Sequence, residues 1–155
     1  LRLVRLHRKS DPLSPLPLKP GFTLTPEYVL LGSVGFDAGE PLLDDDAQQR
    51  LRDAARLALA FPQWPLLIEG HTDPSGKETD NHRLARQRAE RIRLSLNEVQ
   101  HIPLAQMHLR AHGSQKPVAD NATEAGRRQN RRVDILMVGE VPAADTKKKE
   151  KDGGP

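Results

Sequence analysis

Apolar residues recur along the chain in two patterns, and each pattern predicts a different kind of element. Short apolar runs predict four strands, at 28–36, 65–71, 107–113 and 131–138. Two longer segments, 44–61 and 79–100, repeat apolar residues every three or four positions, which is typical of an amphipathic helix. The stripes predicted for these helices are Ala47, Leu51, Ala54, Ala58 and Phe61, then Ala85, Ala89, Ile92, Leu96 and Val99. A short helical turn is predicted near 123–129.

The element order β-α-β-α-β-(α)-β predicts an α+β fold. The economical packing is a two-layer sandwich, in which one mixed sheet carries both long helices on one face. Three aspartates, Asp44–Asp46, begin the first helix, where they suit a helix cap and the positive end of the dipole. Pro62 and Pro65 end that helix.

The two ends of the chain differ in composition from its middle. Residues 1–26 hold five Lys/Arg, one Asp and five prolines, which predicts a basic stub and a proline-rich linker. Residues 141–155 lack apolar periodicity and predict a disordered charged tail. The domain between them, 27–140, holds 15 basic and 17 acidic residues, and the whole chain has only three Phe, one Tyr and one Trp. A nucleic-acid partner is therefore not expected.

Two absences narrow the class of protein further. The chain has no cysteine, which excludes disulfides and thiolate-bound zinc. No apolar run approaches the roughly 20 residues that a membrane-spanning helix needs. The chain begins at Leu1 without a signal peptide, so we expect a piece of a longer protein whose membrane association lies in a part not present here.

The stretch "LLIEGHTDPSG", 66–76, predicts a buried strand that ends in the polar side chains His71, Thr72 and Asp73. One interpretation is a metal site, but zinc normally takes three or four protein ligands and this stretch offers two. His108 and His112 lie four residues apart in a predicted strand, where that spacing separates them widely. No metal and no cofactor is therefore expected.

Catalysis is a second interpretation of the same stretch. Ser75 follows in the turn, but no Gly-x-Ser-x-Gly elbow surrounds it. Glu69 and Asp73 are an unconvincing carboxylate pair, because Glu69 lies in the middle of the predicted strand. The chain is therefore not expected to be an enzyme.

Recognition of a zwitterionic group is the third interpretation. On the second predicted helix, Arg88 falls about 60° from the centre of the apolar stripe, whereas Arg83, Arg86 and Arg93 fall on the far side. Arg88 could grip a carboxylate, or its stem could cover the edge of the core while its head reaches water. Asp73 and Arg88 together would match a ligand that carries an ammonium and a carboxylate on one carbon.

Three motif blocks in order resemble the OmpA C-terminal-like domains, a family that includes the peptidoglycan-associated lipoproteins and MotB. "VGFDAG" at 34–39 resembles the family's first strand and the loop after it. The central motif is matched by Gly70, His71, Thr72, Asp73, Gly76, Asn81, Leu84, Arg88 and Ala89. The closing segment is matched by Pro117, Asn121, Thr123, Gly126, Asn130, Arg131, Arg132 and Val133. The resemblance covers about residues 28–138.

The resemblance implies non-covalent binding of peptidoglycan through meso-diaminopimelate of the stem peptide. Asp73 would accept from the ammonium of that group, and Arg88 would bind its carboxylate. The pocket would be lined by Thr72, Asn81, Leu84, Asn130, Arg131 and the Phe36–Asp37 loop. His71 is expected to be a structural member of the turn.

The same resemblance implies the periplasm of a Gram-negative bacterium, with the parent protein tethered to the outer or inner membrane. The alternative is a domain on the same fold that docks other envelope proteins in a secretion or motor complex.

Two positions depart from the family pattern. Ala85 stands where the family usually has Ser, which removes one helix hydroxyl near the site. Ala111 stands where a Gly-x-Gly turn usually begins, so the shape of that strand end is open.

Overall fold

The computed structural model describes residues 24–38 and 43–142 of the 155-residue chain. The predicted stub and linker at 1–26 lie outside the described residues except for 24–26, which begin the first strand. The predicted tail at 141–155 lies outside them except for 141–142, which end the last strand. Among the described residues, no helix combines the length and the apolar character that crossing a membrane requires.

Seven main elements follow one another in the predicted order, and the α+β prediction is confirmed. They are β1 (Leu24–Gly35), α1 (Asp45–Ala60), β2 (Leu66–His71), α2 (Glu78–Glu98), β3 (Met107–Gly113), α3 (Glu124–Asn130) and β4 (Arg132–Pro142). A three-residue 3₁₀ helix that the sequence did not predict, Leu104–Gln106, precedes β3. The Asp44 side chain caps α1 by accepting a hydrogen bond from the backbone N–H of Ala47 (2.8 Å).

The four strands form one mixed sheet in the order β1-β4-β2-β3. β4 pairs antiparallel with β1 and with β2, and β2 pairs parallel with β3. In the β1–β4 pair, Leu24 lies opposite Pro142 and Gly35 lies opposite Arg132. The end of β1, the start of β4 and the end of β2 therefore lie side by side at the same end of the strands.

Both long helices pack on one face of the sheet, as predicted, and share one apolar core with it. The predicted stripes are buried except at their last residues. Phe61 follows the end of α1, is 37% exposed and stacks on Trp64 with ring centroids 4.9 Å apart. Val99 follows the end of α2 and is 56% exposed. The prediction that both residues belong to the buried stripes is wrong, because each of them lies one residue beyond the end of its helix.

Helix α2 lies directly on strand β2 at Gly70. A Cβ atom at that position would overlap the backbone carbonyl of Ala85, so only glycine allows the approach. Ala85 therefore packs through its backbone, and the hydroxyl that the family pattern would add is absent. The contact brings the next turn of α2, which carries Arg88, against the end of β2.

The second departure, Ala111, has a regular place in the sheet. Ala111 pairs with Gly70, and the register shifts between Gly70 and His71, so that His71 lies opposite Gly113. Gly113 has a φ of 59° and supplies the left-handed residue at the end of β3.

Candidate functional site

A cleft of about 320 Å³ lies where the loop after β2, helix α2 and helix α3 meet. Its lining residues are Ala38, Thr72, Asp73, Ser75, Asn81, Leu84, Arg88, Glu124, Arg127 and Arg131. Six of them were predicted from the sequence: Thr72, Asp73, Asn81, Leu84, Arg88 and Arg131. The lining carries two carboxylates and three guanidinium groups, so the cleft offers both signs of charge to a ligand.

Arg88 is the most deeply buried charged side chain of the cleft, with 0% exposure. Its Nη2 donates to the backbone carbonyl of Asp37 (3.0 Å), and its guanidinium carbon lies 5.3 Å from the centre of the Phe36 ring. Its Nε and Nη1 have no hydrogen-bond partner among the described residues. Burial, together with repulsion from Arg131, lowers the pKa of Arg88 to about 10, which leaves it protonated near neutral pH.

Asp73 lies in the same cleft and is already paired. Its Oδ1 accepts from the backbone N–H of Ser75 (2.8 Å), and its Oδ2 accepts from Nη1 of Arg131 (2.9 Å). Burial acts to raise the pKa of Asp73, but the hydrogen bonds from Ser75 and Arg131 outweigh it and hold that pKa below its ordinary value. Asp73 is therefore a carboxylate at neutral pH.

Arg131 forms hydrogen bonds with three different parts of the cleft. Besides its bond to Asp73, its Nη2 donates to Glu124 (2.9 Å) and its Nε donates to the backbone carbonyl of Phe36 (3.2 Å). Burial opposes protonation of Arg131, but its bonds to Glu124 and Asp73 raise its pKa. Arg131 thus joins the loop after β1, the loop after β2 and helix α3.

Three predicted lining residues do not line the cleft. Phe36 and Asp37 lie behind Arg88, with the Phe36 ring against the guanidinium and the Asp37 carbonyl accepting from it. Asn130 holds a loop: its Oδ1 accepts from the backbone N–H groups of Val118 (2.8 Å) and Ala119 (3.1 Å). Both ends of its amide are engaged by that loop, which gives Asn130 a structural role beside the cleft.

Four lining residues were missed: Ala38, Ser75, Glu124 and Arg127. Glu124 begins α3, and its carboxylate accepts from Arg131 and from Arg127 (3.1 Å). These bonds lower the pKa of Glu124. The sequence carried a signal, because Glu124 and Arg127 lie three residues apart, one helical turn, within the recognised closing segment.

His71 is the last residue of β2, at the end of the predicted strand 65–71, and the turn begins after it. Its ring stacks on that of His112 in β3, with centroids 5.0 Å apart. It does not line the cleft. This neighbour was not predicted, because His112 comes from a different strand.

Comparisons with known proteins agree with the fold and with the matched motifs. The model of the OmpA family matches residues 35–131. The chain is 38% identical to the outer-membrane lipoprotein YfiB of Pseudomonas aeruginosa, over 74% of this chain and 67% of that protein. It covers only 31% to 36% of several longer outer-membrane proteins that it also matches.

Two solved structures extend the comparison. The peptidoglycan-associated lipoprotein of Burkholderia pseudomallei superposes with a TM-score of 0.64 at 36% identity, over 68% of this chain and 89% of that one. The C-terminal domain of Helicobacter pylori MotB superposes with a TM-score of 0.62, over 79% of this chain and 98% of that one. At 23% identity, the second likeness supports the fold alone. None of these relatives bears the name of an enzyme.

Proposed function

Because this chain belongs to the OmpA family, we propose that it binds cell-wall peptidoglycan without catalysis and anchors a membrane-associated protein to the wall. The group recognised would be the free end of diaminopimelate in the stem peptide, which carries an ammonium and a carboxylate on one carbon. The cleft at the end of β2 would hold that group.

The observation that carries the proposal is the buried guanidinium of Arg88. A buried charge is stable only when its hydrogen-bond donors are paired, and two donors of Arg88 have no partner among the described residues. A carboxylate in the cleft would accept a charge-assisted hydrogen bond from one of these two donors, which point to different edges of the guanidinium. The unpaired donors support the proposal that this cleft takes an anionic group.

Asp73 would receive the ammonium of the same group. Its two existing hydrogen bonds use one lone pair on each oxygen, so acceptor sites remain. Because Arg131 and Ser75 fix its orientation, the carboxylate needs no reordering when the ligand arrives. Thr72 adds a buried hydroxyl at the same wall of the cleft, and that hydroxyl has no partner among the described residues.

Each site is expected to bind modestly. Charge-assisted hydrogen bonds contribute about 1.5–3 kcal/mol each, and association costs about 4 kcal/mol or more. Tethering to a membrane beside a wall of repeating stem peptides would raise the effective concentration. The names of the relatives, an outer-membrane lipoprotein and a peptidoglycan-associated lipoprotein, support a place in the periplasm of a Gram-negative cell. The tether would belong to a part of the parent protein outside this chain.

Co-sedimentation with purified sacculi tests the proposal. We expect the wild-type chain to sediment and Arg88→Ala and Asp73→Ala to remain in the supernatant. Arg86→Ala is the matched control, since Arg86 is an exposed arginine on the same helix, and it should sediment as wild type does. Circular dichroism of each variant separates loss of binding from loss of fold. Equal sedimentation of folded Arg88→Ala and wild type would contradict the proposal.

Competition identifies the recognised group. A soluble stem peptide with diaminopimelate at its third position should displace the chain from sacculi, whereas the peptide with lysine there should not, because its side chain ends in an ammonium alone. Raising the ionic strength should weaken the binding, since charge pairs carry it. Equal competition by both peptides would exclude diaminopimelate as the recognised group. If the chain does not sediment with sacculi at all, the envelope-docking role replaces peptidoglycan binding as the proposal.

A further inference from the structure

Ionisable side chains converge on the face of the sheet that lies away from the long helices. Along β2, Ile68 belongs to the helix-side core, whereas Leu67 packs on the opposite face. By alternation Glu69 and His71 share the face of Leu67, and both are buried. None of the side chains discussed in this subsection lines the cleft of Arg88 and Asp73.

Three side chains bring potential metal ligands to one point of this face. The ligand atoms of Glu69, His71 and His112 all lie within 4.8 Å of one another. Nε2 of His112 lies 2.6 Å from Oε2 of Glu69, and Nε2 of His71 lies 3.8 Å from the same oxygen. A fourth group borders them, because Oδ2 of Asp134 lies 3.5 Å from Nε2 of His71.

We propose that Glu69, His71 and His112 bind a divalent cation of the zinc class. Two imidazoles and a carboxylate are a ligand set that zinc takes in proteins, with a fourth position left for water or another group. Bonds of about 2.0–2.2 Å place tetrahedral ligands roughly 3.4 Å apart. The distances of 3.8 Å and 2.6 Å at Glu69 lie on either side of that value, so the site is completed by rotation of the side chains without a movement of the strands.

The sheet holds these ligands in place before any ion arrives. Glu69 and His71 come from the same strand at a spacing of two, and His112 lies in the neighbouring parallel strand, at the point where the register shifts. The rings of His71 and His112 are stacked and inclined by 22°, so one imidazole must turn about its Cβ–Cγ bond before both rings direct a nitrogen at one ion. Asp134 is fixed by bonds from Ser33 (2.8 Å) and Arg132 (3.2 Å), so its charge stays beside the site without being a ligand.

Access to the site comes from the His112 side. Glu69 and His71 are almost completely buried, whereas His112 and Asp134 are partly exposed. A divalent ion would replace the proton between His112 and Glu69 and would balance the charges of Glu69 and Asp134. No metal was expected from the sequence because His112 pairs with His108 only by spacing along β3, whereas in the fold His112 lies beside His71 of the neighbouring strand.

Zinc titration of the full chain, without a polyhistidine tag and after treatment with a chelator, tests the site. We expect one zinc ion per chain by calorimetry, and a visible Co²⁺ absorption typical of low coordination number. His112→Ala should weaken zinc binding by about 100-fold or more, because losing even an outer-shell partner costs about 10–100-fold. His108→Ala is the matched control, since it removes an exposed histidine from the same strand.

The outcomes are distinct. Unchanged zinc affinity in His112→Ala, or an equal loss in His108→Ala, would overturn the site, as would the absence of stoichiometric binding to the wild type. Glu69→Gln supplies a second variant if His112→Ala unfolds. Sedimentation with sacculi is measured on the same variants and reports the other site, so the two proposals can fail separately.

Discussion

Arg88 shows how a residue can be costly to the fold and necessary to the site. Its guanidinium is removed from water, one of its nitrogens bonds to a backbone carbonyl, and two have no partner among the described residues. Such a group lowers stability relative to an apolar side chain of similar volume. A ligand that supplies the missing acceptors, as proposed, would offset that cost.

Arg88→Met should therefore raise the free energy of unfolding of the free chain by about 1 kcal/mol, because two unpaired donors leave the interior. The same variant should lose its affinity for sacculi. Urea unfolding followed by circular dichroism measures the first effect, and co-sedimentation measures the second. A clear loss of stability would show that the Asp37 bond and the Phe36 contact outweigh the unpaired donors.

Asp73→Asn should destabilise the chain at neutral pH by about 1–3 kcal/mol, because Arg131 loses its charged partner in a buried place. The folded pKa of Asp73 lies below 3.8, so its contribution is fully present above that value and is lost as the pH falls through the folded pKa. The difference between wild type and variant should be equal at pH 7 and pH 5 and should shrink near pH 3. Urea unfolding at the three pH values measures it; a constant difference would contradict the charge argument.

Single residues of the cleft were predictable to different degrees. Arg88 stood out because helical periodicity alone places it beside the apolar stripe. The bond between Arg131 and Asp73 could not be predicted, because it joins residues 58 positions apart whose distance depends on how β4 pairs with β2. Sequence patterns report local spacing, and this pair has none.

At the scale of elements, the contact between β2 and α2 sets the geometry of the cleft. Gly70 allows the helix backbone to touch the strand, and Asp73 and Arg88 then follow from the two elements at fixed distances along each. The position of one side chain in the cleft is thus determined by a residue that does not line it.

Gly70→Ala should lower the free energy of unfolding by about 3 kcal/mol or more, because its methyl group would overlap the Ala85 carbonyl and neither backbone can move freely. Gly35→Ala is the control. Gly35 has no atom within 4 Å of an added Cβ, so its effect should stay within about 0.5 kcal/mol. Thermal or urea unfolding compares the two, and similar losses would show that backbone freedom, not the close approach, explains the effect.

The elements themselves were largely predictable, and their arrangement was not. Periodicity placed β3 at its observed bounds and each long helix within two residues of its ends. The 3₁₀ helix at Leu104–Gln106 was missed, since three residues are too few to show a period. Strand order was not predicted either, because every strand is apolar enough to pair with several others.

At the scale of the whole molecule, one core joins both long helices to the helix-side face of all four strands. Trp64 packs against that core, stacks on Phe61 and lies over Gly139 in the central strand β4. The only tryptophan of the chain therefore sits where α1 and the sheet meet.

Urea unfolding followed by Trp64 fluorescence and by far-ultraviolet circular dichroism should give superimposable curves, because a shared core makes the domain unfold as one unit. Two separated transitions would show that α1 and its part of the sheet unfold independently of the rest. Phe61→Ala should change the fluorescence of the folded state while leaving the two curves coincident.

The pairing of β1 with β4 also fixes how the domain would carry a mechanical load. The chain enters the sheet at Leu24, and the cleft lies at the opposite end of the same ribbon, beyond Gly35. Twelve residues of strand separate the two points, about 40 Å. A pull between the wall and the preceding chain would run along the strands, at right angles to their hydrogen bonds, and would strain those bonds together in shear instead of peeling them apart one by one.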